Sequence, residues 1–171
     1  MAIDANPLSA TMNAYCDVAF ADAYFTFRFG GEAWIGFDVE KKEALLVRAT
    51  NTLDTFSYGG YKKSGSQPLK WPRSGLVDDE GYSVSETTVP QKVKQATCEF
   101  AFWMWTEEDR LLSDTDLRQV ESFNAGPADI KAKKSPALYP TIALDMIRSM
   151  GQGFLLSTGD DGKAKNATIR L

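Results

Sequence analysis

Apolar side chains recur at helical spacing in four stretches of the chain, and runs rich in Gly, Pro and small polar residues separate them. Asp17 is placed to cap a helix running to about Phe29, where Gly30-Gly31 supplies a stop. Phe20, Tyr24, Phe25, Phe27 and Phe29 fall on more than one face of that helix, which a lone amphipathic surface helix does not show. A second helix is predicted from about Val39 to Phe56 behind Asp38, with Leu45, Ala49, Leu53 and Phe56 on one stripe and Lys41, Lys42, Arg48 and Asn51 opposite. Pro90 opens a third helix, in which Val93, Ala96, Phe100 and Met104 form one apolar stripe and Cys98, Phe102 and Trp105 another. Lys94, Gln95 and Glu99 are its wet positions. A last helix spans about Pro140 to Met150 and stops at Gly151.

The connections differ in kind. Residues 57–86 hold many glycines and polar residues with no helical period, so they predict a loop of a length that suggests function or an interface. Residues 117–134 carry strand-like apolar positions around Gly126-Pro127, which predicts a hairpin or extended arms. From Gln152 to Leu171 sizeable apolar groups are few, among them Phe154, Leu155, Ile169 and Leu171, so this tail is expected to order only against a partner. The fold class is therefore mainly α: one helical domain over residues 1–151 with a long central loop and a hairpin or arm, then a tail over 152–171. Phe102, Trp105, Gly126, Pro127, Phe154, Leu155, Ile169 and Leu171 are candidate interface residues. Aromatics make up 12% of the residues, which leaves two sources of cover: the subunit's own core, or neighbouring subunits.

At 171 residues, 43% hydrophobic and 25% charged, the chain has the composition of one folded soluble domain. Its net charge of −4 argues against a general electrostatic hold on nucleic acid, though not against a local basic patch. Histidine is absent, which removes Ser-His-Asp and Cys-His nucleophile systems and imidazole metal sites. Cys16 and Cys98 sit among apolar neighbours and are expected to pack as small hydrophobes in a reducing cytosol. No glycine-rich phosphate loop, serine elbow or calcium loop occurs, so no enzymatic activity, cofactor or metal is expected. The N-terminus lacks the pattern of a signal peptide and no window is apolar enough for a membrane span, so no membrane association is expected.

One segment joins basic and aromatic residues: Lys62, Lys63, Lys70 and Arg73 interleave with Tyr58, Tyr61 and Trp71. Stacking rings beside cations is the composition of a single-strand-binding loop. The competing and favoured reading of Trp71-Pro72-Arg73 is structural, a turn that locks the loop against the helices.

The runs Gln67-Pro68-Leu69-Lys70-Trp71-Pro72-Arg73-Ser74-Gly75 and Val89-Pro90-Gln91-Lys92-Val93-Lys94-Gln95-Ala96, with Tyr58-Gly59-Gly60-Tyr61-Lys62 between helices, resemble a family of small tailed-bacteriophage proteins. Its members are described as head–tail connector, adaptor or neck proteins, and similar sequences carry a DnaT-like single-stranded-DNA-binding label. The resemblance covers roughly residues 14–150. It implies a helical virion subunit, assembled in the host cytoplasm into a homo-oligomeric ring, typically of twelve, at the neck. The implied partners are the portal protein, the next tail-side neck, stopper or tail-terminator protein, and phage DNA passing through the channel without sequence-specific binding. It also marks Gln67, Leu69, Trp71, Pro72, Arg73 and Gly75 as a loop motif. The alternative it carries is a single-stranded-DNA-binding protein of phage replication.

Overall fold

The structure, a computed structural model, describes residues 2–113 and 139–158, with the side chains of 107–113 outside that description. The expected hairpin at 117–134, with Gly126 and Pro127, and the chain end with Ile169 and Leu171 lie outside the described residues. Within them the fold is mainly α, as the periodicity predicts.

Helix α1 (Val18–Thr26) starts where Asp17 accepts a hydrogen bond from the Phe20 amide at 2.8 Å. The Gly30-Gly31 stop leads into a single turn that the sequence pattern does not reveal, α2 (Glu32–Ile35), which delivers Trp34 into the core against Phe25 with centroids 4.6 Å apart. Helix α3 (Val39–Leu53) is capped by Asp38, which accepts from the Lys41 amide at 2.7 Å. It ends one turn before Phe56, and Phe56 then enters the core from the following loop. Helix α4 (Gln91–Ser113) runs well beyond the expected Trp105 and is flanked by α3 on one side and by α5 (Thr141–Arg148) on another.

Residues 57–86 are less irregular than the sequence suggests. Strand β1 (Ser57–Tyr58) pairs antiparallel with β4 (Leu155–Ser157), and β2 (Tyr61–Lys62) pairs antiparallel with β3 (Arg73–Ser74). Strands this short lack the alternation that a pattern search needs. Gly59 makes the first pairing possible, because a Cβ there would lie 2.2 Å from the Gly153 carbonyl oxygen.

That pairing corrects the expected boundary at 151/152. Phe154 is fully buried and Leu155 half-buried, so residues 152–158 belong to the domain rather than to a tail awaiting a partner. One large aromatic anchor and a strand pairing order them, which a count of apolar residues undervalues.

The fold buries a large share of its aromatics among the described residues: Tyr15, Phe25, Trp34, Phe56, Tyr58, Trp71, Phe100 and Phe154 are all buried. Cys16 and Cys98 are buried as expected, with sulfurs 3.9 Å apart, and burial pushes the Cys98 thiol well above its usual range. The first residues are also tied down. The Tyr15 amide donates to Thr50 Oγ1 at 3.1 Å, and the Tyr15 hydroxyl donates to Asp54.

Candidate nucleic-acid interface

Two surfaces compete for function: the aromatic-basic loop and a cleft between α1 and α4.

In the loop, the motif residues form one internal unit. Trp71 has no exposed surface, and its ring packs edge-on to Tyr58 and parallel to Phe154. The Trp71–Pro72 peptide is cis. Arg73 is buried, with Nη2 donating to the carbonyls of Gly60 at 2.8 Å and Tyr58 at 3.4 Å, Nη1 to that of Lys70 at 3.2 Å, and Nε to that of Gly59. Desolvation draws its pKa down from the usual arginine value. Gln67 Nε2 donates to the carbonyls of Leu69 and Pro72, and Leu69 is buried beneath them. Gly75 holds a positive φ of 75°, and a Cβ there would press within 2.9 Å of the Tyr61 ring. Lys70 is committed as well, its ammonium donating to the Phe56 carbonyl at 2.8 Å. Of the basic and aromatic residues interleaved between Tyr58 and Arg73, Tyr61 and Lys63 are exposed and Lys62 is half-buried, so a single exposed ring is left there for stacking. The structural reading of Trp71-Pro72-Arg73 is the one the geometry supports.

The other proposed interface residues pack against side chains of this same chain where they are described. Phe102 lies 5.5 Å from Phe25 and beneath the Arg28 guanidinium at 4.6 Å, while Trp105 meets Phe37 at 4.9 Å. Both are half-buried. Phe154 and Leu155 serve the core and β4, as above.

The sequence pattern does not single out the cleft between α1 and α4. It holds about 480 Å³ and is lined by Phe20, Ala23, Tyr24, Phe27 and Arg28 from α1 and the turn that follows it, and by Gln91 and Gln95 from α4. Its wall is fixed from behind by Glu99, which the polar count on α4 places in water and the fold instead buries at 3% exposure. Glu99 accepts from Arg28 Nε at 2.6 Å and Nη2 at 2.9 Å, and from the Tyr24 hydroxyl at 2.6 Å. The hydrogen bond that Arg28 donates to Glu99 raises the Arg28 pKa, and burial together with that carboxylate raises the Tyr24 pKa. Lys94 holds its ammonium 5.5 Å from the centroid of Phe20. At the end of α1, Phe27 and Phe29 are 92% and 101% exposed. The only sequence signal for this surface is the spread of aromatics over several faces of the first helix.

Among the described residues no helix is long and apolar enough to cross a membrane, and no group of three or more potential metal ligands occurs.

With this geometry in place, the comparisons with known proteins give the family. Residues 1–170 match the model of a family described as "Putative DnaT-like ssDNA binding protein", and the chain belongs to that family. No curated protein and no solved structure matches it.

Proposed function

We propose that this protein is a non-catalytic binding protein whose target is single-stranded DNA, engaged along the α1–α4 surface rather than by the central loop. Membership of the DnaT-like family across residues 1–170 carries this reading. The cleft supports it, because rings that can stack bases stand beside Lys94, while no carboxylate lines the opening. An acidic chain can still hold a strand through a local patch, and that binding weakens as salt rises. Titration of labelled single-stranded and duplex oligonucleotides at two salt concentrations tests it: single strands bind more tightly, and both affinities fall with salt. A folded protein that binds neither form ends the proposal.

A second reading has its own observation. Phe27 and Phe29 present large apolar surface beside an Arg28 already neutralised by Glu99, and apolar exposure of this kind suits a protein partner. In that reading the chain is a virion subunit of the head–tail connector, contacting further copies of itself, the portal and a tail-side neck protein at the particle's neck. Native mass spectrometry of the protein alone and mixed with its portal separates the two readings.

A further inference from the structure

We propose that the cleft between α1 and α4 is a slot for one unpaired nucleobase, with adenine the best fit; this rests on the single-stranded-DNA reading above. Phe20, Tyr24 and Phe27 are spaced by four and three, so their rings stand on one face of α1 and its cap. Gln91 and Gln95 are spaced by four and face them from α4. Neither amide has a hydrogen-bond partner among the described residues, so their donors and acceptors are free for a ligand.

The walls suit a flat, polar-edged molecule. Aromatic faces accept any base by stacking, and an amide reads the adenine edge by accepting from N6 and donating to N7. The volume of about 480 Å³ falls in the range of small-ligand clefts. The wall is also pre-set, since the buried Glu99 clamps both Tyr24 and Arg28 at 2.6 Å. Arg28, which also lines the cleft, is committed to Glu99 and holds the wall in place, and Lys94 beside Phe20 supplies a cation for the adjoining phosphate.

The test is anisotropy titration of the full chain with fluorescent oligo(dA), oligo(dT) and an abasic strand of equal length. The expected result is about tenfold tighter binding of oligo(dA) than of oligo(dT). In a Gln91→Ala/Gln95→Ala variant that preference disappears, while the melting temperature and the affinity for the abasic strand stay unchanged. Equal affinity of the native protein for all three strands, or a preference that survives in the variant, overturns the slot and leaves single-strand binding standing. Failure of the folded protein to bind any strand removes both.

Discussion

The Trp71 indole lies parallel to the Phe154 ring, with centroids 6.3 Å apart and planes 15° from each other, and neither side chain is exposed. This contact joins the central loop to the segment after α5, two parts of the chain that the sequence pattern treats as unrelated. The β1–β4 pairing runs beside it, so strand and stack hold the same junction.

A chain ending at Gly151 should therefore lose at least about 3 kcal/mol of stability, the lower range for removing a buried large aromatic, and Phe154→Ala alone should account for most of that. Trp71→Ala should cost a similar ~3 kcal/mol or more. Urea denaturation measures all three. A truncated chain that melts like the full one would place Phe154 outside the cooperative core.

Arg73 is held by four backbone carbonyls, and its planar fork matches their arrangement in a way an ammonium does not. Arg73→Ala leaves the Gly59 and Gly60 carbonyls without that donor and is expected to cost ~3 kcal/mol. Arg73→Lys should recover only part of this. If Arg73→Lys is as stable as the native protein, the fork geometry is immaterial and a single charge at that point suffices.

How much of this the sequence disclosed depends on the physics of each element. The four main helices were legible because caps and a 3.6-residue period act locally: Asp17, Asp38 and Pro90 mark their starts and the starts are there. The motif Gln67 to Gly75 was legible as a turn because Trp-Pro-Arg combines a rigid φ with two groups that pack. The strands were not legible, since two or three residues carry no period and their partners lie far along the chain. Glu99 misled for a related reason. A carboxylate on a helix reads as wet unless its partners are known, and Arg28 and Tyr24 lie more than seventy residues away. The cleft was hidden because it needs two helices to meet, which spacing on either one does not state.

Tyrosine ionisation should set the alkaline limit of the fold. Burial, then the neighbouring Asp54 charge, raises the Tyr15 pKa well above its ordinary value of 10.0. The unfolded chain ionises at that ordinary value while the folded chain stays protonated, so the contribution is complete below it and is lost as pH rises toward the folded value. Tyr24 and Tyr58 shift in the same direction, burial leading in both. Thermal melts should therefore fall steeply above about pH 10, in step with tyrosinate absorbance, and Tyr15→Phe should make the fall shallower. A melting temperature that is flat through that range would show that these hydroxyls ionise freely in the folded protein.

The last prediction separates surface from scaffold at the end of α1. Phe27 and Phe29 are almost wholly exposed, so a Phe27→Ser/Phe29→Ser double variant removes little packed area and should stay within about 0.5 kcal/mol of native stability. Phe25, two residues away, is buried against Trp34 and Phe102, and Phe25→Ala should cost ~3 to 5 kcal/mol. That contrast shows where the core stops. If the exposed rings stack bases, the double variant should lose about tenfold or more in oligonucleotide affinity, since each stacked base is worth ~1 to 3 kcal/mol. Unchanged oligonucleotide binding, together with loss of a complex with the portal, would instead assign Phe27 and Phe29 to the connector reading.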